Sequence, residues 1–275
     1  MALIEVAEVS KLYGGKLILD RVSLSIGAGE FVTIAGQTGC GKSTLLRMIL
    51  GSEHPCHGHV TVDSARVTQP GRDRGYVPQK YSLFPDKTVL DNITFGPEIT
   101  EFGLAGRWTP RFFRRRAQLR EEARDYLRQT SLQACDADKY PDQLSGGMQQ
   151  RVAIAQALMM KPKVLLMDEA FSALDAGTRA SMQQLIREVW RATGTTILFV
   201  THNLAEAIYL GTRVVVLAKD AAREAARVSL DLQIPEEIRL PNGTPRREDL
   251  HRFTALIENA ALGGKPELAM AEFGG

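Results

Sequence analysis

Gly36-Gln37-Thr38-Gly39-Cys40-Gly41-Lys42-Ser43-Thr44 is the stretch that decides the fold. It fits the pattern G-x-x-x-x-G-K-[ST], a loop that cradles phosphates. Its glycines let successive backbone N–H groups converge on phosphate oxygens without side-chain clash. A helix following it presents the positive end of its dipole to the anion. In this pattern Lys42 is expected to reach the β- and γ-phosphates and Ser43 to ligate Mg²⁺. The bland alternative is a glycine-rich turn before a core helix. Against it stand the apolar strand at Phe31–Ala35, the run Leu45, Leu46, Met48, Ile49 and Leu50, and the intact Lys-Ser pair.

Further along the chain, Val164-Leu165-Leu166-Met167-Asp168-Glu169 reads as a buried strand ending in two acids. Such a strand sets its acids at the carboxyl edge of a sheet, beside the loop. There Asp168 is expected to hold Mg²⁺ and Glu169 to act as general base on water. Alone, an apolar run meeting two acids is weak evidence; together with the loop it favours nucleotide chemistry. Around these motifs the apolar pattern alternates. Ile4, Val6 and Val9, then Val22, Leu24 and Ile26, read as strands, as do 60–62 and 76–77. After 164–167 come helix positions Met182, Leu185, Ile186, Val189 and Trp190, a strand at 195–201, a helix at Leu204–Leu210 and a strand at 213–218. This β-α-β rhythm predicts a parallel sheet covered by helices. In the tail, Val228, Leu230, Leu232 and Ile234 alternate as a strand, and Leu250, Phe253, Ile257 and Ala260 fit an amphipathic helix. The glycines and small residues at the end suggest fraying. Residues 91–106 read as mixed, and a helix is predicted over 114–128.

The composition is ordinary for a globular chain of 275 residues, with 44% hydrophobic and 24% charged positions. Lys and Arg total 34 against 32 for Asp and Glu, a balance that argues against a nucleic-acid coat protein. Cys40, Cys56 and Cys135 make no disulfide framework, so a reducing compartment is expected. Cys40 sits among loop N–H groups beside Lys42, surroundings expected to favour its thiolate. No apolar run approaches the roughly 18 residues of a membrane span. The start, MALIEVAEVSK, has no signal-peptide pattern, so a cytoplasmic chain is expected.

Leu144-Ser145-Gly146-Gly147-Met148, followed by Gln149-Gln150-Arg151, resembles the signature motif of ABC ATPases and stands between the loop and the Asp-Glu strand, as in that family. The resemblance runs from about Ile4 to Ala218. It implies an α/β fold: a P-loop NTPase core with a parallel sheet, an N-terminal antiparallel β subdomain and an inserted α-helical subdomain. The ATPase domain is expected over 1–220, with the helical subdomain at about 88–160, and a C-terminal extension over 221–275. The resemblance further implies ATP and Mg²⁺ as ligands, and a role for each matching position. Gly36 to Thr44 would bind nucleotide, with Lys42 on the phosphates and Ser43 and Asp168 on the metal. Glu169 would be the catalytic base and His202 the switch on the γ-phosphate. Tyr13 would stack on adenine. Gln79 would touch Mg²⁺ or water and sense the membrane partner. Ser145, Gly146 and Gly147 would contact ATP held by a second subunit, and Asp175 would link the two sites. Singly, Tyr13, Gln79 and His202 also read as a strand aromatic, a turn polar group and a strand-end histidine; their order along the chain favours the functional reading.

Departures from the pattern are Met148 for glutamine, Ala170 for proline and Asn203 for aspartate; none removes a catalytic group. A narrower resemblance, to ATPases of nitrate, sulfonate and taurine importers, rests on FSALDAGTR at 171–179, Met182-Gln183, Trp190, LFVTH at 198–202 and EAIYL at 206–210. It implies a peripheral subunit on the cytoplasmic face of a membrane. Its partners would be transmembrane permease subunits, a second copy of the chain in a head-to-tail dimer, and an extracytoplasmic substrate-binding protein; no nucleic acid is expected. Alternatives are a lipid or lipoprotein exporter and a non-transport ABC ATPase. The arginines at 107, 111, 114, 115, 116, 120, 124 and 128, with Trp108, Phe112 and Phe113 among them, read as a partner or lipid surface, a nucleic-acid surface or a solvated face.

Overall fold

The computed structural model describes residues 2–80, 83–103, 105–219, 224–240 and 244–263. Its strands are β1 (Ala2–Tyr13), β2 (Lys16–Gly27), β3 (Phe31–Ala35), β4 (His57–Val62), β5 (Ala65–Arg66), β6 (Arg74–Val77), β7 (Val164–Asp168), β8 (Thr196–Val200), β9 (Arg213–Lys219) and β10 (Ala226–Gln233). Its helices are α1 (Lys42–Leu50), α2 (Val89–Phe102), α3 (Pro110–Gln129), α4 (Gly146–Met159), α5 (Ala176–Thr193), α6 (Leu204–Leu210) and α7 (Arg247–Ala261). The chain folds as two compact units. Among the described residues no helix is long and apolar enough to cross a membrane.

The first unit holds the chain up to Gly71, Leu166–Glu169 and everything from Gly194 on. Its strands lie in the order β5-β4-β1-β2-β10-β9-β3-β8, with the end of β7 beyond β8. One side is antiparallel: β1 pairs with β2 and β4, and β4 with β5. The other is parallel: β3 pairs in parallel with both β8 and β9. Every residue of β3, β7 and β8 is buried, as continuous apolar strands covered on both faces must be. The α/β core expected from the sequence is therefore present.

The tail belongs to this unit. Strand β10 runs antiparallel to β9, and Leu256, Ile257 and Ala260 of α7 join Ala207 and Ile208 of α6 in one apolar cluster. Between β10 and α7, buried Arg239 caps α6. Its guanidinium donates to the carbonyls of Tyr209 at 2.6 Å, Ile208 at 2.9 Å and Gly211 at 2.6 Å. A cation at a helix C-terminus meets both the unpaired carbonyls and the negative dipole end. The expected fraying at the C-terminal end lies outside the described residues.

The second unit holds Arg72–Leu165 and Ala170–Thr193. Its core gathers Val89, Leu90 and Ile93 of α2, Leu119, Ala123 and Leu127 of α3, and Val152, Ala155 and Met159 of α4. The segment that reads as mixed in sequence is one helix, α2, despite Pro97. A proline removes one intrahelical bond, but the buried face on either side of it holds the turn. Helix α3 also starts earlier than its apolar pattern suggests. Pro110 takes the first helical position and the Thr109 hydroxyl accepts from Phe112 N at 3.3 Å.

The arginines of α3 are mostly committed inside this unit, which corrects the reading of a free basic face. Arg115 donates to both oxygens of Glu101, at 2.9 and 3.0 Å, and to Glu122 at 3.0 Å. Arg116 donates to Asp91 at 2.9 Å and to Glu98 at 3.1 Å, and Arg120 also reaches Asp91. These pairs tie α3 to the acids of α2, and Glu98 is almost fully buried. Arg116→Met is therefore expected to leave a buried carboxylate short of its cation, costing about 2 kcal/mol. The check is urea unfolding followed by circular dichroism. An unchanged midpoint would mean that Thr94, whose hydroxyl donates to Glu98 at 3.1 Å, suffices.

Candidate functional site

Strand β3 ends at Ala35 and the chain turns at once through Gly36, at φ 148°. A Cβ here would lie 2.2 Å from the carbonyl oxygen of Leu217 in β9, so no side chain fits. Gln37, Thr38 and Gly39 are exposed and Cys40 is buried. Gly41 precedes α1 without any side-chain cap, which leaves the first N–H groups of α1 without a side-chain acceptor. Such a helix start attracts an anion. Buried Lys42 sends its ammonium back to the loop, donating to the carbonyls of Gly36 at 2.9 Å and Gln37 at 3.0 Å. Thr44 is buried in the first turn of α1.

Ser43 Oγ donates to Asp168 Oδ1 at 2.8 Å. The register of the strands makes this meeting possible: β7 delivers Asp168 at its end, and the loop after β3 delivers Ser43. Two oxygen groups side by side are the hard ligands that suit Mg²⁺, which is usually held by one or two protein oxygens together with substrate phosphates. Glu169 follows with φ 45°, a left-handed backbone that only a minority of non-glycine residues adopt. Its N–H donates to Val200 O at 3.0 Å, which holds the turn. Its carboxylate Oε2 lies 3.2 Å from Nδ1 of His202. His202 stands just beyond β8, and its position is fixed by neighbours. Thr201 Oγ1 donates to Glu206 at 2.5 Å and accepts from Asn203 N at 3.0 Å, while Asn203 Oδ1 caps α6 by accepting from Glu206 N at 3.1 Å. Asparagine caps a helix as well as aspartate does, so the departure at 203 leaves this support intact.

Tyr13 closes β1 and is 42% exposed. Its hydroxyl donates to Glu53, and Lys11 Nζ lies 5.1 Å from the ring centre. The first unit thus brings together the loop, Asp168, Glu169 and His202, with Tyr13 anchored nearby in sequence to the end of α1 through Glu53.

The other sequence-predicted residues belong to the second unit. Gln79 Nε2 donates to Ser172 Oγ at 3.3 Å. Ser145 is exposed at the start of α4, its hydroxyl accepting from Met148 N at 3.3 Å. That bond comes from the backbone, so Met148 in place of glutamine does not disturb it. Gly146 opens α4, and a Cβ on Gly147 would sit 2.5 Å from Thr178 Cγ2. Asp175 accepts from Gly177 N at 3.1 Å and Thr178 N at 3.0 Å at the start of α5. The hydrogen bonds from Thr178, then Gly177, hold its carboxyl below the ordinary aspartate range.

Sequence reasoning missed the groups that support these residues. Glu53 carries no motif signal. Asn203 and Glu206 do carry one, the cap-x-x-Glu pattern before an apolar helix. One expectation is overturned. Cys40 is 1% exposed, and burial pushes its thiol above the ordinary range, outweighing the opposing pull of Lys42 and the loop N–H groups. A raised thiol pKa leaves less thiolate at any given pH. Alkylation of Cys40 is therefore expected to run about tenfold or more slower than that of exposed Cys56 and Cys135. Peptide mass spectrometry over a time course checks this, and equal rates at all three would contradict it.

Comparison with known proteins came down on the same chemistry. A family profile described as ABC transporter matches residues 19–172. The taurine import ATP-binding protein TauB of Burkholderia pseudomallei is 40% identical over 266 residues, covering 94% of this chain and 96% of TauB. An uncharacterised ABC transporter ATP-binding protein of Methanocaldococcus jannaschii is 43% identical over 219 residues, covering 80% of this chain and 77% of the relative. A dimeric ATP-binding cassette in a post-hydrolysis state, bound to ADP and Pi, superposes with TM-score 0.68 at 31% identity, over 84% of this chain and 99% of the cassette.

Proposed function

The chain belongs to the ABC transporter family of ATP-binding proteins, and from that membership we propose that it drives import of a small anion such as nitrate, a sulfonate or taurine. It is an ATPase subunit. Support for the anion comes from one observation: the likeness to TauB extends along 94% of the chain, tail included. Support for the chemistry comes from the site around Gly36 to Thr44.

In this reading the loop amides and the start of α1 bind the ATP phosphates, and Lys42 turns its ammonium from the carbonyls of Gly36 and Gln37 to the β- and γ-phosphates. Ser43 and Asp168 would hold Mg²⁺, with Gln79 touching the ion or its water, and the ion would draw off charge that develops on the phosphate oxygens. Glu169 takes the proton from the attacking water. His202, beside it, contacts the γ-phosphate and keeps the carboxylate in place. Tyr13 stacks on the adenine. Ser145, Gly146 and Gly147 complete the site of a second copy in a head-to-tail dimer, and Asp175 links the two sites. Closing and reopening of the dimer passes through Gln79 to transmembrane permease subunits at the cytoplasmic face, with an extracytoplasmic binding protein delivering the anion. In the same reading the ATPase domain spans 1–220 with a helical subdomain at about 88–160, followed by a C-terminal extension over 221–275 that carries one strand and one amphipathic helix.

The test is uptake. Deletion of the gene is expected to abolish uptake of labelled taurine, an alkyl sulfonate or nitrate, and the wild-type gene to restore it where Glu169→Gln does not. Intact uptake of all three would overturn the assigned cargo class.

A further inference from the structure

Seven arginines lie on α3, and they divide sharply. Arg115, Arg116 and Arg120 are bound to acids of α2, while Arg124 pairs with Glu121 and Arg128 with Asp125. Arg111 and Arg114, in the first turns, have no acid partner among the described residues. Arg72, before β6, has no salt bridge among the described residues, although its charge acts on Glu101. Arg72 and Arg111 line a cavity of about 580 Å³ together with Thr100, Thr109, Phe102 and Glu101. The one acid there is already spent: Glu101 is gripped by Nε and Nη2 of Arg115, and that hydrogen bonding holds its carboxyl below the ordinary range. Beside this cavity in the chain, the 3-10 turn Ala105–Trp108 ends in a tryptophan that is 88% exposed, and Phe113 is 60% exposed one turn on. Phe112, between them in sequence, is buried edge-to-face against Phe102.

An indole left almost wholly in water is costly, and charge left unpaired beside it invites an external anion. Tryptophan settles where one end meets hydrocarbon and the other meets water. Arginine binds phosphate through paired N–H donors. A basic, aromatic-tipped surface of this kind is suited to the anionic face of a bilayer. We propose that the turn Ala105–Trp108 and the start of α3 dock on anionic phospholipid. In this arrangement Trp108 and Phe113 sit at headgroup level, and Arg72, Arg111 and Arg114 face lipid phosphates. The contact is separate from ATP chemistry and needs no permease.

The test uses the full chain with vesicles of phosphatidylcholine alone, or mixed with phosphatidylglycerol. The chain is expected to float with the mixed vesicles, to leave them as salt rises, and to ignore phosphatidylcholine. In a Trp190→Phe background, which leaves Trp108 as the reporter, emission is expected to shift to the blue on mixed vesicles. The pair Arg111→Gln and Arg114→Gln is expected to weaken flotation about 25-fold, at about fivefold per arginine. Trp108→Ala is expected to remove the shift and weaken flotation too. The control pair Arg124→Gln and Arg128→Gln, already ion-paired, is expected to change little. Basal ATPase stays at the wild-type level throughout. Equal binding to both vesicles, an unshifted indole, or an equal loss in the control pair would overturn the proposal. So would displacement from mixed vesicles by a single-stranded oligonucleotide at matched phosphate, which would assign the surface to nucleic acid.

Discussion

Glu169→Gln is expected to lower steady ATP turnover by about 10³-fold, within the range contributed by a general base, while ATP still binds. Glutamine fills the space of glutamate and can still face Nδ1 of His202 from 3.2 Å away. What it lacks is a carboxylate to take the proton from water. The backbone at 169 is left-handed at φ 45° and held by the bond to Val200 O, so glutamine keeps the same local strain and fold. Blocked turnover with binding intact should trap the closed state. The variant should then elute as a dimer with ATP and Mg²⁺ and as a monomer without them. Phosphate release and size-exclusion chromatography measure the two outcomes. Turnover near wild type would remove Glu169 from the role of base.

Lys42→Met is expected to weaken ATP binding about 100-fold and to abolish turnover. The two hydrogen bonds that Lys42 makes within the loop, at 2.9 and 3.0 Å, go to neutral carbonyls. Exchanging them for phosphate oxygens replaces a neutral acceptor by an anionic one, so that both partners carry charge; bonds to charged groups contribute about 1.5–3 kcal/mol each. Methionine keeps the apolar stem that packs in this buried position and loses only the charged head. Affinity for ADP should fall less than affinity for ATP, because a lysine reaching the γ-phosphate has less to lose when that group is missing. Titration calorimetry with both nucleotides separates the cases. Equal losses for ATP and ADP would place the ammonium on the β-phosphate alone.

The residues of the proposed site were legible in sequence because their spacing is dictated by backbone geometry. A loop of nine residues between a buried strand and a helix, and an acid pair at the end of another buried strand, admit few arrangements. What the sequence could not display was how charge is partitioned. The arginines of α3 form one dense run in the chain, yet the ones facing α2 are neutralised by Asp91, Glu98 and Glu101, residues 14 to 29 positions away. Helix α2 itself was obscured by Pro97, since local propensity carries no record of the packing that overrides it. Cys40 misled for a related reason. Its neighbours in sequence promised a thiolate, while its burial, a property of the folded chain, raised its pKa instead. Glu53, which anchors Tyr13, is far away in sequence and lies in no periodic pattern.

Arg239 grips α6 through the carbonyls of residues 208, 209 and 211. Every amino acid carries that carbonyl, so the grip is blind to which side chains occupy those positions. Mutational drift should therefore be lopsided here. Positions 208 and 209 can change identity as far as their packing allows without loosening the contact, whereas at Gly211 a Cβ would lie 2.9 Å from the Arg213 carbonyl oxygen. Position 239 has no such latitude, because only a planar guanidinium offers donors in several directions at once; lysine would reach one or two of the carbonyls and abandon the rest. A helix that starts two residues after His202 is thus secured by one letter of the tail, and within that helix tolerance to substitution at this contact is set by the donor and hardly at all by the two acceptors at 208 and 209.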